Sequence, residues 1–269
     1  MNKQKWIVGS VGLLALIATS SAWAVKTDVD GYYYELAPGA AEKNLEAVRA
    51  LIKTADAHGF VRNNGTGTNC FSCTLPSFEL KGSGTYGGVE NADVVIDFDY
   101  RQPAIRVDVT TKANKARTVT VAAKGITWDE SAPGIFSKAS TVPALDRLVS
   151  AYILPSQVIY AAGLATDKIT LATQGANKVM TVPVPEYSTT IKATIDAKGF
   201  ITGTEMAYGG KTYTGEYSDI DTDHMDNHVF LPHRIVQKVD GKVVTDLKLV
   251  YHWSVPYLLF RTPDEIAKK

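Results

Sequence analysis

Apolar residues recur along the chain with two periods, and the change from one to the other divides it. Ala41, Leu45, Val48, Ile52 and Ala55 follow at spacings of four, three, four and three, which predicts the buried stripe of one amphipathic helix. Glu42 and Glu46 stand early and Lys53 late, matching the helix dipole, and Gly59 closes the stretch. From Ser77 the period becomes two. Ser77–Tyr86 reads as a strand. Val94, Ile96 and Phe98 then alternate with Val95, Asp97 and Asp99, and Ile105, Val107 and Val109 alternate with Arg106, Asp108 and Thr110. Arg117–Ala123 and Gly125–Asp129 continue the series. One apolar face and one wetter face per strand is the pattern of an antiparallel sheet covered on one side.

Helical spacing returns over 142–164, through Leu145, Leu148, Val149 and Ile153 and then Val158, Ile159 and Ala162. Pro155 must break it into two short helices. The strands resume as Ile191–Ile195, Phe200–Tyr208, Lys211–Tyr217, Val229–Val239 and Lys242–Trp253, with Asp240-Gly241 as a two-residue hairpin turn. The expected fold is α+β: a single, strongly curved antiparallel sheet of roughly ten or eleven strands, an incomplete barrel wrapping a few helices. Val94, Ile96, Phe98, Ile105, Val107, Ile191, Ile195, Leu247 and Leu249 are the expected wall of a concave apolar cavity, although alternation does not say which face is the concave one.

Residues 1–24 stand apart from this pattern. Lys3 and Lys5 precede an apolar run from Trp6 to Ala18, and the segment closes on Ala22-Trp23-Ala24, so it reads as a secretory signal peptide cleaved after Ala24. The run is short for a membrane span. The expectation is a mature 25–269 domain exported to the periplasm, most simply a monomer. The whole chain holds 28 basic and 28 acidic residues, so removing the two lysines of the leader leaves an acidic excess of two. No basic stripe points to nucleic acid. A near-neutral charge points instead to apolar burial as the source of ligand affinity.

Export places Cys70 and Cys73 in an oxidising compartment. Their C-x-x-C could be a local disulfide, half a metal site or a redox pair. No second cysteine pair completes a zinc site, and the pair sits in a loop before a strand rather than at a helix start, which favours a loop-stapling disulfide. Asp219-Ile-Asp-Thr-Asp-His-Met-Asp-Asn-His228 opens like a calcium loop but lacks the glycine at position six and the glutamate at position twelve. Asp221, Asp223, His224 and His228 could offer mixed oxygen and nitrogen ligands to a divalent metal, against the plainer reading of a solvated loop. His224 and His228 could also serve acid–base catalysis, as could Asp129 and Glu130 at a strand end. No other cofactor is implied.

The order of elements resembles the LolA/LolB/LppX fold. Gly125-Ile-Thr-Trp-Asp-Glu-Ser-Ala-Pro-Gly134, Arg147-Leu-Val-Ser-Ala-Tyr-Ile-Leu-Pro155, Gly215-Glu-Tyr-Ser-Asp219 and Phe230-Leu-Pro-His-Arg-Ile-Val-Gln237 resemble the LolA-like segment of exported metallo-β-lactamase-fold hydrolases. The resemblance does not extend to their chemistry. His58, His224, His228, His233 and His252 contain no H-x-H-x-D-H ligand cluster, and the expectation is a chain without that catalytic domain. The resemblance implies a periplasmic carrier or chaperone for a lipid, an acylated protein or another apolar small molecule, with transient contact with membrane proteins. Two alternatives stand beside it. One is an exported enzyme using the same cavity for an apolar or aromatic substrate, with the Asp/His loop at its mouth. The other is an accessory module for a separate hydrolase or transporter.

Overall fold

In a computed structural model, residues 24–63, 67–71, 77–220, 229–255, 258 and 260–267 are described. Residues 1–23, Cys73 and the Asp/His segment from 221 to 228 lie outside them.

The chain begins with a hairpin, β1 (Val25–Val29) and β2 (Tyr32–Leu36), followed by α1 (Ala40–Ala57). Two-residue strands β3 (Arg62–Asn63) and β4 (Asn69–Cys70) join the hairpin in a small sheet. The predicted helix is present, but its buried face is Ala47, Val48, Ala50, Leu51, Thr54 and Ala55, while Leu45 is exposed. Asn44 is the reason. Its backbone leaves the helical region and its side chain donates to the Ile169 carbonyl, so the first turn is rotated against the rest.

Six strands follow as a meander: β5 (Ser77–Tyr86), β6 (Val89–Asp99), β7 (Ala104–Thr111), β8 (Arg117–Ala123), β9 (Ile126–Ala132) and β10 (Ile135–Ala139). Helices α2 (Ala144–Tyr152) and α3 (Pro155–Leu164) are split where expected, with Pro155 on the first turn of α3. There its missing N–H costs nothing and its fixed φ suits the helix start. Seven more strands complete the fold: β11 (Thr170–Gln174), β12 (Asn177–Val184), β13 (Thr189–Ile195), β14 (Ile201–Tyr208), β15 (Lys211–Ile220), β16 (Pro232–Val239) and β17 (Lys242–Val255). A short α4 (Asp264–Ala267) ends the described chain.

β5 to β17 form one 13-stranded antiparallel sheet, ordered β10-β9-β8-β7-β6-β5-β17-β16-β15-β14-β13-β12-β11. The count exceeds the expected ten or eleven because β10, β11 and β12 carry little alternation. The meander runs out to one edge, crosses through α2 and α3 to the opposite edge, and returns until β17 pairs with β5 in the middle.

Contacts of α2 show how this sheet is shaped. The Tyr187 hydroxyl, between β12 and β13, donates to the Leu145 carbonyl at 2.7 Å. Two residues along, the Arg147 guanidinium donates to Asp129 on β9 at 2.9 Å. β9 and β13 are nine strand spacings apart in the sheet, which would be roughly 43 Å across a flat one. A single helical turn reaches both only because the sheet curls around the helices.

The face bearing Val94, Ile96 and Phe98 is the inner one. It packs with Val149, Ile153, Val158 and Ile159 of the two helices into the main core, together with Ile191, Ile195, Leu247 and Leu249. Each such buried aliphatic or aromatic side chain contributes about 1.5–3 kcal/mol. The outer face of β7 to β9 holds a second cluster of Ala104, Val121, Ala123 and Trp128, covered by Phe260 from the C-terminal segment. Arg106 lies 5.5 Å from the Phe260 ring and pairs with Glu130 at 3.1 Å. Beside it, burial and the Glu79 carboxylate raise the Asp97 pKa to about 6, against the pull of Arg106.

Candidate functional site

Strand polarity sets the two ends of the curled sheet apart. The hairpin turns after Tyr86, Tyr208 and Val239 gather at one end, and those after Ile195 and Asp99 at the other. The second end is filled. Phe78 and Phe98 stack at 5.5 Å between centroids, with Phe60 and Tyr100 against Phe78. His58, just after α1, is fully buried there. Its Nδ1 donates to the Phe230 carbonyl at 2.8 Å and its Nε2 accepts the Ile201 N–H at 3.1 Å. Burial lowers its pKa to about 4, so the ring is neutral at pH 7.

Toward the first end, beneath α2, lies a cavity of about 260 Å³. Ile105 and Val107 of β7, Val149 and Ile153 of α2, and Gln237 and Thr245 form its buried part. Tyr86, Gly87, Tyr213, Val239 and Val244, next to the hairpin turns, form its outer part. A narrow extension of about 20 Å³ continues between Leu80, Ile96, Leu154, Ile235 and Leu247. The roof is held by its polar backbone. A helix leaves its last carbonyls without partners, and two at this end, Ser150 of α2 and Ile153 just past it, are satisfied by side chains of the curled wall. Gln237 donates to the Ser150 carbonyl at 2.8 Å, and the Thr204 and Tyr217 hydroxyls both donate to that of Ile153.

Three charged residues line the cavity: Asp146, Arg147 and Lys238. Arg147 is held by Asp129 at 2.9 Å, the Ser140 hydroxyl at 2.8 Å and the Trp128 carbonyl at 3.2 Å. Lys238 pairs with Glu216. Burial of the Tyr208 ring, together with the nearby Asp146 carboxylate, raises the tyrosine's pKa. Among the described residues no cation pairs with Asp146.

Of the wall residues expected from alternation, Ile105 and Val107 line the cavity and Ile96 and Leu247 its extension. Val94, Phe98, Ile191, Ile195 and Leu249 are buried in the surrounding core. Alternation missed the roof, Val149 and Ile153, and the polar lining of Tyr86, Tyr213 and Gln237. Helical spacing could have offered the roof, and the placing of Tyr213 and Gln237 in register with apolar wall positions was the available signal for the lining.

The other sequence candidates are not brought together. Asp129 and Glu130 are neighbours on a strand and face opposite sides. Asp129 meets Arg147 on the inside, whereas Glu130 meets Arg106, Trp128 Nε1 and the Gly134 N–H on the outside. Asp221, Asp223, His224 and His228 lie outside the described residues. Their anchors, Ile220 and Val229, stand at the end of β15 away from its hairpin turn at Gly209-Gly210, hence away from the open side of the cavity. Among the described residues no cluster of His, Cys, Asp and Glu could hold a metal ion. Cys70 is buried and is not a free thiol, while Cys73 lies outside the described residues. Tyr34 stacks on Phe71 at 6.0 Å, and Tyr32 and Tyr33 are exposed beside it.

No family model matches the chain, and no curated protein matches it. A crystal structure of a LolA superfamily protein from Nitrosomonas europaea is similar, with a TM-score of 0.43 and 13% identity over 82% of this chain and 96% of that one. No comparison supports the link to the metallo-β-lactamase-fold hydrolases. Among the described residues no helix is long and apolar enough to cross a membrane.

Proposed function

We propose that the chain is an exported carrier that shelters an apolar ligand in the cavity beneath α2. The observation that carries this reading is the cavity itself, lined by Ile105, Val107, Val149 and Ile153 between α2 and the inner face of the sheet. Removing a ligand's apolar surface from water there is worth about 0.8 kcal/mol per CH₂. A cavity of about 150 Å³ accepts benzene, so 260 Å³ suits a body of about ten non-hydrogen atoms. Larger cargo, such as several acyl chains, would require α2 to lift. The basic, apolar and small-residue order of the first 24 residues supports export to the periplasm, with Val25 as the mature N-terminus.

The test is uptake of a neutral fluorophore of matching size, 1-aminonaphthalene, by the purified chain. Wild type is expected to enhance its emission saturably. Val149→Trp, which fills the cavity from its roof, is expected to weaken uptake at least about tenfold while keeping the native melting transition. Absent uptake by wild type, or undiminished uptake by the variant, refutes the reading.

A further inference from the structure

The charges around the cavity do not cancel locally, and the residue is a carboxylate. Both lining cations are satisfied by acids that lie away from the cavity: Arg147 by Asp129 of β9, and Lys238 by Glu216, which is 60% exposed. Asp146 is exposed in the first turn of α2, where the helix dipole tolerates it, and Tyr208, whose pKa it raises, is neutral. Tyr187, Tyr208 and Tyr213 lie near enough to feel its charge. Tyr208 meets Tyr187 edge to face at 4.7 Å, Tyr187 meets Tyr152 likewise at 4.8 Å, and Tyr213 forms the adjoining part of the cavity lining. The negative faces of aromatic rings and a carboxylate without a counter-ion both favour a cation. The apolar lining of Ile105, Val107 and Val149 lies directly inward of this rim.

We propose that the ligand is a cationic amphiphile: one short apolar body under α2, with an amine or quaternary ammonium head held at Asp146 among the tyrosines. This specifies the ligand class of the carrier reading and rests on it. An anionic head would meet Asp146 while the two cations remain committed elsewhere, so the same site disfavours a fatty acid.

Calorimetric titration of the whole chain at pH 7.5 with octylammonium, octan-1-ol and octanoate tests the assignment, because the three share a tail and differ in head charge. The expected order is octylammonium tightest, by about tenfold over octanoate, with octan-1-ol between. Asp146→Asn should remove the preference of octylammonium over octan-1-ol, and Asp146→Glu should keep it. Equal binding of all three by wild type, tighter binding of octanoate, or a preference that survives in Asp146→Asn overturns the proposal while the carrier reading stands. Failure of all three to bind, with 1-aminonaphthalene uptake also absent, removes both.

Discussion

His58 shows how one residue can fix three parts of the chain at once. Its ring joins the end of α1, the first residue of β14 and the Phe230 carbonyl, using one nitrogen as donor and the other as acceptor. Protonation would destroy the acceptor and leave the Ile201 N–H facing a like dipole. With a folded-state pKa of about 4 against 6.5 in the unfolded chain, the unfolded state binds the extra proton first. Stability from this residue is therefore intact above pH 6.5 and falls as the pH drops toward 4, by about 3 kcal/mol. Urea unfolding across that window should show this loss in wild type relative to His58→Gln, which keeps the opposing gain from protonation of Asp97 but lacks the imidazole titration. An imidazole resonance that titrates near pH 6.5 in the folded protein would contradict it.

At the scale of elements, local pattern was a good guide wherever one face met the core. β5 and β8 start and end where alternation places them, and the α2–α3 break follows from Pro155. Two of the strands it missed, β10 and β11, lack a buried face. β11 is a largely exposed edge of Thr, Leu, Ala and Gln, and β10 is exposed and bulged against β9. β12 contains Pro183, which normally argues against an interior strand. Here β11 covers only the stretch from Asn177 to Thr181, so Pro183 lies beyond its reach and faces β13 alone. The polar side of the cavity was hidden for a different reason: hydroxyl and amide groups that cap the carbonyls of α2 give no hydrophobic signal. Gly215 belongs to this capping device. The Tyr217 side chain folds across it to reach the Ile153 carbonyl, and a Cβ on residue 215 would sit 2.0 Å from the Tyr217 hydroxyl oxygen. Gly215→Ala should therefore displace the tyrosine and destabilise the protein by at least about 2 kcal/mol in urea unfolding. A neutral effect would mean that Tyr217 does not hold the roof.

For the whole molecule, the outer cluster matters as much as the inner core. The C-terminal segment lays Phe260 over Trp128, Val121 and Ala123, and so covers apolar surface that the sheet alone leaves in water. Truncating Phe260→Ala should cost about 3 kcal/mol. Tryptophan emission should shift to longer wavelength as water reaches Trp128, while uptake into the cavity on the other face stays unchanged. An unshifted emission would show that the segment does not cover this surface. The path of the main chain has a further consequence, for the order of events in folding. Because β5 is the first strand of the large sheet and β17 the last, their pairing, with Tyr86 opposite Thr245, joins the two arms across most of the sequence. The contacts at the middle of the sheet are thus among those of greatest sequence separation, and closing so long a loop before any reward is slow. Each arm can zip up from its own hairpins, but the seam that joins them waits for the C-terminal end of the chain.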